Sequence, residues 1–373
     1  MMNEENLIEL NEKNIIEEND QNGGEEQELV DIERVPRRRK GKLRYRVGII
    51  GGGSWATAIA KILSENLKHI NWWVREPEIE EGISKYGNNP LYLSSVHFNH
   101  GDVKMNRNLK YVISKSDYIV IVTPSAFLYE TFSTLPKTVF KKKKIISAVK
   151  GIIPETNQLI TDYFREYFEV PLSNMSLISG PSHAEEIAQE RLTFLTAASA
   201  NPELAELVAK FFKTRYVRTS TSNDMMGIEL SVTLKNIYAL GAGIYSGLGF
   251  GDNFLAAYIA NCVKEADGFV NHLYPNTNRY SSISVYLGDL LVTCYSSHSR
   301  NRLFGKMIGQ GFSVRTAQIE MQMIAEGYYA THCIYRLCKQ VDYPLPIVET
   351  LHGILYDRNS VSVEMNRMAE HFI

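Results

Sequence analysis

Lys235 is the residue whose surroundings most strongly suggest chemistry. It lies in GIELSVTLKNIYALGAGIY, a segment with helical spacing whose other residues are largely apolar or small. Burial of a lysine costs several kcal/mol unless the charge is paired, and burial also lowers the pKa of the amine. A buried Lys235 would therefore suit acid–base catalysis, whereas a half-exposed Lys235 would only extend its amine to solvent. The segment alone leaves both interpretations open.

A glycine-rich turn, Gly51-x-Gly53-x-x-Ala56, fits the pattern that binds a dinucleotide. It follows the β-branched run YRVGII and precedes the helical segment TAIAKILSEN, which is the context that this pattern requires. Gly51 allows a tight turn, Gly53 lets a pyrophosphate approach the backbone, and Ala56 lets the helix pack closely on the strand. The free N–H groups at the start of the helix would bind the phosphates.

The run INWWV, a second candidate strand, ends before Arg75 and Glu76. In dinucleotide-binding folds, residues at this point contact the adenosine ribose of the cofactor. Arg75 could contact a 2′-phosphate, which would favour NADP, and Glu76 could accept a bond from a ribose hydroxyl, which would favour NAD. Arg75 could also be a solvated surface residue. The sequence therefore predicts NAD or NADP without deciding between them.

Further polar residues follow apolar runs or interrupt apolar helices. They lie in the segments VKG (149–151), SGPSHA (179–184), LKN (234–236), LGDL (287–290) and SRN (299–301). Ligands of open α/β sheets bind beyond the carboxyl ends of the strands. Lys150 and the Gly180-Pro181-Ser182 turn are therefore expected at the same edge of a sheet.

Two kinds of element would have to position these residues. Short apolar runs predict buried strands at Ile70–Val74, Tyr118–Val122, Ile145–Val149, Ser176–Ser179 and Thr193–Ala198. Helix-length segments such as Glu155–Phe168 alternate with them, which is typical of a parallel α/β sheet. After about residue 220, helical spacing predicts helices at Glu229–Ala242, Asn253–Val270, Ser313–Arg336 and Pro346–Tyr356.

The predicted fold class is thus α/β, with an N-terminal Rossmann-type parallel-sheet domain over residues 43–220. An all-α substrate and catalytic domain would follow over residues 221–373. Residues 1–42 are expected to form a disordered charged tail, because they are rich in Glu, Asn and Gln and poor in aromatic residues.

Composition excludes several classes of protein. The chain has 373 residues, of which 44% are hydrophobic and 22% charged, as in soluble globular proteins. Its apolar runs are far shorter than the roughly 20 residues of a membrane span, and its acidic start is unlike a signal peptide. We therefore expect no membrane span and a cytoplasmic location. Four widely spaced cysteines argue against a disulfide framework and against a zinc site, and no metal is expected.

Charge is distributed unevenly along the chain. Residues 1–33 carry 12 Asp or Glu and one Lys, residues 34–46 carry eight Lys or Arg, and the remaining body is nearly neutral. A near-neutral body gives no reason to expect binding to nucleic acid. The basic run Arg37–Lys40 is interpreted as a solvated linker, although contact with RNA or anionic lipid stays open.

Together these segments resemble the NAD(P)-dependent glycerol-3-phosphate dehydrogenases. The resemblance runs from about Val47 to about Ala330, and its pieces occur in the family's order and approximate spacing. They are GGGSWATAIA, VKG, SGPSHAEE, LKNIYALGAG, LGDLLVTCYSSHSRN and the glutamate in IAEG. The resemblance implies reversible reduction of dihydroxyacetone phosphate to sn-glycerol 3-phosphate, for glycerophospholipid synthesis. It also implies NAD or NADP as cofactor, a small phosphorylated substrate and commonly a homodimer.

The resemblance also implies roles for individual residues. Lys235 would be the catalytic lysine, and Asp289 would position it. The cofactor-binding residues would be Gly51, Gly53, Ser54, Trp55, Arg75, Lys150, Ala184, Arg300, Ile324 and Glu326. The substrate-binding residues would be Lys150, Gly180, Ser182, Asp289, Ser299, Arg300 and Asn301. Arg300 suits a phosphate because its planar guanidinium can bind two oxygens at once.

Some positions depart from the family pattern. His183 stands where phenylalanine is usual, and we expect it to be a packing residue. Val285 and Tyr286 replace small residues, which could narrow the pocket. Asn261 stands where the family carries arginine, in a helix expected near the active site.

These departures keep two other functions open. One is a related two-domain dehydrogenase acting on another hydroxy acid or phosphate. The other is a nucleotide-binding regulator without turnover, whose tail serves as an interaction arm. The joint presence of Lys235, Asp289 and Arg300 argues against the regulator.

Overall fold

The computed structural model describes residues 41–321 and 324–372. The charged tail expected over residues 1–42 lies outside the described residues, except for its last two positions. The last strand ends at Ser222, and the next helix begins at Met225. The domain bounds themselves stay predictions.

A sheet of eight strands forms the first half. The strands of the described residues are β1 (Leu43–Ile50), β2 (Leu67–Trp73), β3 (Lys104–Asn106), β4 (Tyr118–Ile121), β5 (Lys144–Ser147), β6 (Ile152–Ile153), β7 (Gln158–Leu159), β8 (Met175–Ser179), β9 (Thr193–Ala198) and β10 (Val217–Ser222). The order in the sheet is β10-β9-β8-β5-β4-β1-β2-β3, and β6 pairs with β7 separately.

The prediction of a parallel sheet is confirmed for every neighbouring pair except β8 and β9, which are antiparallel. The connection between β8 and β9 runs through the five-residue helix Ala184–Ala188, and the chain returns alongside β8 in the opposite direction.

Alternate residues of the central strands enter two separate cores. Val120 and Ile146 pack in one core, whereas Ile119 and Ile145 pack in another. Burial on both faces explains why these strands are continuous apolar runs. Strands β3 and β10, the two edge strands, were not predicted from the sequence. Their residues are mostly polar because one side of an edge strand meets solvent.

The helices of the described residues, including those of the first half, have these bounds. They are α1 (Ser54–Asn66), α2 (Pro77–Glu81), α3 (Leu109–Ser114), α4 (Leu128–Phe132), α5 (Ile160–Tyr167), α6 (Ala184–Ala188), α7 (Pro202–Phe212), α8 (Met225–Gly247), α9 (Asp252–Leu273), α10 (Asp289–Tyr295), α11 (Arg300–Gly309), α12 (Val314–Met321), α13 (Glu326–Gln340), α14 (Pro346–Leu355) and α15 (Val361–Ala369). None of the described helices is both long and apolar enough to cross a bilayer.

Two predicted helices were wrong in extent. The helix expected at Glu155–Phe168 begins only at Ile160, because residues 152–159 form the β6–β7 pair, with Asn157 at a positive φ of 55° in its turn. The helix expected at Ser313–Arg336 is interrupted between α12 and α13. Ala325 has an extended backbone there, with ψ of 100°, and the apolar spacing on either side carries no sign of this break.

Helix α8 forms the centre of the helical half and is buried on nearly all sides. Its closest neighbour is α11. A Cβ added at Gly243 would lie 2.0 Å from the carbonyl oxygen of Arg302, and one at Gly305 would lie 1.9 Å from the carbonyl oxygen of Leu240. Only glycine allows the two backbones to approach this closely. This glycine seam fixes α11 against the helix that carries Lys235.

Candidate active site

A cleft of about 460 Å³ lies where the carboxyl ends of β1, β4 and β5 meet α8, α10 and α11. Its volume is within the range of sites that bind cofactors and small molecules. Its lining includes fourteen of the sixteen site residues predicted from the sequence. They are Gly53, Ser54, Trp55, Arg75, Lys150, Ser182, Ala184, Lys235, Asp289, Ser299, Arg300, Asn301, Ile324 and Glu326.

The other two predicted residues, Gly51 and Gly180, lie beside the cleft as turn residues. Gly51 has φ of +134°, and a Cβ there would be 2.9 Å from the backbone nitrogen of Thr123. Gly180 has φ of +138°, and a Cβ there would be 2.5 Å from the carbonyl oxygen of Phe194. Both turns therefore require glycine, and they direct the residues that follow into the cleft.

The start of α1 fits a dinucleotide. A Cβ at Gly53 would meet no atom within 4 Å, so the space beside this backbone is open. The first turn of α1 contains no acidic residue, and no side chain caps its N–H groups. Trp55 is fixed at the cleft wall because its indole donates a hydrogen bond of 3.0 Å to the carbonyl of Ala148. Open space and free donors are what a pyrophosphate needs at a helix N-terminus.

Lys235 is buried, with 5% of its surface exposed, so the snorkelling interpretation is wrong. Its Nζ donates hydrogen bonds to Asp289 Oδ1 and, at 3.0 Å, to Thr293 Oγ1. The pKa of Lys235 is lowered to about 8, because burial and the charge of Lys150 together outweigh Asp289, which raises it. An amine with this pKa exchanges protons readily near neutral pH.

Lys150 brings a second positive charge to the same place. Its Nζ lies 3.4 Å from both the carbonyl oxygen of Gly180 and Ser182 Oγ, and 3.7 Å from Asp289 Oδ2. Asn236, next to Lys235 on α8, donates its amide N–H to the Lys150 carbonyl at 2.5 Å. The sheet edge and α8 are thereby joined at the two lysines, and Asp289 lies between them.

Glu326 begins α13 on another side of the cleft. Its carboxylate accepts a hydrogen bond of 3.1 Å from the backbone N–H of Ser125. Burial raises the pKa of Glu326, and the positive charge of Arg300 opposes this shift. Arg300 itself is exposed at the first position of α11. The cleft thus places the Asp289 carboxylate near its two lysines and the Glu326 carboxylate near Arg300.

Ser299 and Asn301 flank Arg300 and already have local partners. Ser299 caps α11 by accepting the backbone N–H of Arg302 at 3.3 Å. Asn301 accepts the backbone N–H of Gly327 at 2.9 Å, which ties α11 to the start of α13. Both residues therefore shape the loop that presents Arg300, whatever contacts they make with substrate.

Thr293 and Asn236 were not predicted as site residues, although both line the cleft beside Lys235 and Asn236 belongs to the LKN segment. Thr293 lies four residues after Asp289, so the two share one face of α10, and this spacing was a usable signal. Asn236 directly follows the catalytic candidate. Phe127 was also missed; it lies in the cleft wall, where the Arg75 guanidinium is 5.5 Å from the centre of its ring.

The departures from the family pattern lie mostly away from this cleft. Val285 is buried in a core of the sheet half, so the expectation that it narrows the pocket is wrong. Tyr286 lines a separate small cavity behind Lys235, and its hydroxyl donates to Asp224 at 2.5 Å. Asn261 does not line the cleft, and its amide donates to the Ala257 carbonyl one turn earlier at 2.9 Å.

His183 is more than a packing residue, because it lines the cleft. Its ring lies 5.9 Å from that of His298, between centres, and its buried Nε2 has no hydrogen-bond partner among the described residues. Burial lowers the pKa of His183, and the charges of Lys150 and Lys235 add to this effect. The ring is therefore neutral near pH 7. Within residues 41–321 and 324–372, no three acidic, histidine or cysteine side chains cluster as metal ligands.

A parallel sheet with a glycine-rich turn, facing a buried lysine–aspartate pair on a helical half, defines the class of protein. The chain is an oxidoreductase that uses a nicotinamide dinucleotide. Residues 46–205 match the family model of the NAD-dependent glycerol-3-phosphate dehydrogenase N-terminus, and residues 224–366 match that of the C-terminus. The chain belongs to the NAD-dependent glycerol-3-phosphate dehydrogenase family.

Individual relatives agree with this assignment. The glycerol-3-phosphate dehydrogenase [NAD(P)+] of Staphylococcus carnosus is 33% identical over 313 residues, which are 83% of this chain and 93% of the relative. That of Bacillus subtilis is 32% identical, over 87% of this chain and 93% of the relative. Among solved structures, the glycerol-3-phosphate dehydrogenase of Coxiella burnetii is similar at a TM-score of 0.80 with 28% identity. It covers 88% of this chain and 99% of its own.

Proposed function

We propose that this chain reversibly reduces dihydroxyacetone phosphate to sn-glycerol 3-phosphate with NADH or NADPH. The product would enter glycerophospholipid synthesis. The observation that carries the proposal is the buried Lys235–Asp289 pair, which faces the same cleft as the glycine-rich turn. We further propose that the enzyme acts in the cytoplasm as a homodimer, on the family membership alone.

The residues present fit the cofactor. The open backbone at Gly53 and the free N–H groups of α1 would hold the pyrophosphate, and Trp55 and Ala184 line the cleft beyond them. The bound dinucleotide supplies or accepts a hydride at the central carbon of the substrate. The role of the chain is to hold the two molecules together and to move one proton.

Lys235 is proposed to move that proton. When hydride adds to the ketone carbon, the carbonyl oxygen becomes an alkoxide, and the Nζ ammonium donates the proton that completes the alcohol. In the oxidation direction, the neutral Nζ accepts the hydroxyl proton while hydride leaves the carbon. Asp289 and Thr293 hold Nζ in place, and the positive charge of Lys150 stabilises the developing negative charge.

The phosphate of the substrate is proposed to bind Arg300. This guanidinium lies at the cleft rim, where a phosphate keeps part of its hydration. Asn301 and Ser299 fix the start of α11, so the guanidinium is presented from a rigid helix end. Ser182, buried beside Lys150, would contact the reacting end of the substrate.

The test is an absorbance assay at 340 nm with dihydroxyacetone phosphate and each reduced cofactor. Lys235→Ala is expected to lower kcat by about 10²–10⁴-fold, with cofactor affinity nearly unchanged. Lys264→Ala, which removes an exposed lysine on α9, is the matched control and is expected to keep wild-type rates. Activity of Lys235→Ala close to that of the control would remove Lys235 from the mechanism.

A related dehydrogenase with another substrate was the main alternative. Its support came from Asn261, Val285 and Tyr286, and none of these side chains lines the cleft. No contact in the described part of the chain favours another hydroxy acid or phosphate as the substrate. A panel of hydroxy acids and sugar phosphates in the same assay separates the two, because the proposal requires dihydroxyacetone phosphate to give the highest kcat/KM.

A further inference from the structure

A small cavity, separate from the cleft, lies behind Lys235; we call it the rear cavity. Its volume is about 30 Å³, and a cavity of about 10–15 Å³ or more can hold a water molecule when polar groups line it. Lys235 is the one described residue that lines both the rear cavity and the cleft. The lining of the rear cavity also includes Ser231, Ala266, Asp267, Ser281 and Tyr286.

Polar groups from three elements line the rear cavity. Ser231 lies four residues before Lys235, so both are on one face of α8. The Ser231 hydroxyl donates to the Gly227 carbonyl at 2.7 Å, which leaves its oxygen as an acceptor for water. Asp267 comes from α9, and its carboxylate accepts a hydrogen bond from the hydroxyl of Ser281, in the segment before α10. Both are half-buried and keep contact with solvent. The wall of the rear cavity therefore holds a carboxylate in contact with solvent and, elsewhere, the buried lysine.

The proposed reaction leaves Lys235 without its proton while the cleft is occupied. In reduction, Nζ gives a proton to the new alkoxide and becomes a neutral amine. Only 5% of the surface of Lys235 is exposed, and the cofactor and substrate would cover its cleft side. Ligands bound in a closed site exclude water from it. The rear cavity borders the side of Lys235 that the ligands would not cover, so it offers a proton a path before product release.

We propose that Lys235 recovers its proton through water in the rear cavity, and that Asp267 transfers the proton from solvent to that water. The inference rests on the proposed dehydrogenase reaction. Rotation about the Cε–Nζ bond turns the lone pair of the amine from the substrate to the cavity. The Asp267 carboxylate takes a proton from solvent and passes it to the cavity water, which gives one of its own protons to Nζ. One proton is bound from solvent for each hydride transferred, and the relay oxidises and reduces no group.

The test compares proton uptake with hydride transfer in one stopped-flow experiment. The full chain is loaded with NADH or NADPH, whichever it oxidises faster, and is mixed with dihydroxyacetone phosphate in weak buffer. The pH is about 7, where Lys235 begins as the ammonium. Cofactor oxidation is followed at 340 nm and proton uptake with an indicator dye. Sucrose is added until product release limits turnover, so that a burst of cofactor oxidation precedes the steady rate. In the wild-type enzyme, the burst of proton uptake is expected to match the burst of oxidation.

Two substitutions interrupt the relay at different points. Ala266→Leu fills the rear cavity, and Asp267→Asn can still accept the Ser281 hydroxyl but cannot carry a proton. Both variants should keep the burst of cofactor oxidation, whereas their proton uptake should be about tenfold slower or more. Asp267→Asn decides the test if the larger side chain at position 266 prevents folding. The control is Ala260→Leu, the same change at an exposed position of α9, which should keep both bursts.

Two results would overturn the inference and leave the proposed function standing. One is a wild-type enzyme that oxidises the cofactor in a burst but takes up protons only at the steady rate. The other is a proton burst in Asp267→Asn that is as fast as in the control. Binding of the cofactor without any oxidation by dihydroxyacetone phosphate would instead refute the proposed function, and the inference with it.

Discussion

The pH dependence of catalysis should follow Lys235. Burial lowers the pKa of its amine to about 8 from an ordinary value of 10.5. Reduction needs the ammonium form, so kcat/KM for dihydroxyacetone phosphate should be level below about pH 8 and fall about tenfold per pH unit above it. Oxidation of glycerol 3-phosphate needs the neutral amine, so its kcat/KM should rise to the same pH and then level.

Removal of the Asp289 charge should move this inflection in a known direction. The carboxylate raises the pKa of Lys235, while burial lowers it. Asp289→Asn keeps the burial and removes the opposing charge, so the inflection should move to lower pH. An opposite charge in direct contact shifts a pKa by about 1–3 units, which places the new inflection between about pH 5 and pH 7.

The assay is the initial rate at 340 nm between pH 5.5 and 10 at constant ionic strength, in both directions. The substrate phosphate titrates near pH 6 and affects all enzyme forms alike. Asp342→Asn, at an exposed position, is the control and should keep the wild-type inflection. A wild-type inflection near pH 10, or an inflection in Asp289→Asn that stays or rises, would refute the assignment of the proton to Lys235.

Three further predictions concern phosphate binding, packing and stability. Arg300→Ala should lower kcat/KM for dihydroxyacetone phosphate by about 10- to 100-fold, but should hardly affect unphosphorylated dihydroxyacetone. An equal loss of kcat/KM for the phosphorylated and the unphosphorylated substrate would contradict phosphate binding by Arg300. Gly305→Ala should lower the free energy of unfolding by about 1–3 kcal/mol in urea titrations, because the new methyl group meets the carbonyl of Leu240; unchanged stability would mean the glycine seam is not tight. Burial raises the pKa of Glu229 to about 7 from 4.5, so this one group should lower the stability of the wild-type enzyme by about 3 kcal/mol between pH 4.5 and 7. Burial raises the pKa of Glu265 to about 7 as well, so the stability of Glu229→Gln should fall less steeply with rising pH than that of the wild type. An equal pH dependence in the two proteins would contradict the role of Glu229.

Much of the site could be predicted because its chemistry needs particular residues at particular turns. Gly51 and Gly180 were found because each precedes a functional segment and follows an apolar strand. Lys235 was found because a lysine is rare in an apolar helix. Thr293 was missed because a threonine in a helix carries no such contrast. Its role is visible only when α10 packs against α8 and brings its hydroxyl to Nζ.

The fold was predictable where burial shapes the sequence and less so elsewhere. Central strands such as β4 were found because both faces are buried. The edge strands β3 and β10 were not predicted because one side of each meets solvent, so their sequences carry fewer apolar residues. The antiparallel pairing of β8 and β9 is a property of the chain path between them, and the break before α13 lies beside contacts with the distant residues Ser125 and Asn301. Neither leaves a local pattern.

The glycine seam between α8 and α11 also bears on the length of substrate that the cleft can hold. Lys235 lies on α8, and Arg300 begins α11, so two backbones in contact fix the separation of the helix positions from which the amine and the guanidinium extend. Rotation of the exposed Arg300 side chain can still change the distance between the guanidinium and the amine. In the proposed reaction, the spacing between carbonyl and phosphate that the cleft accepts is therefore limited to the reach of one arginine side chain.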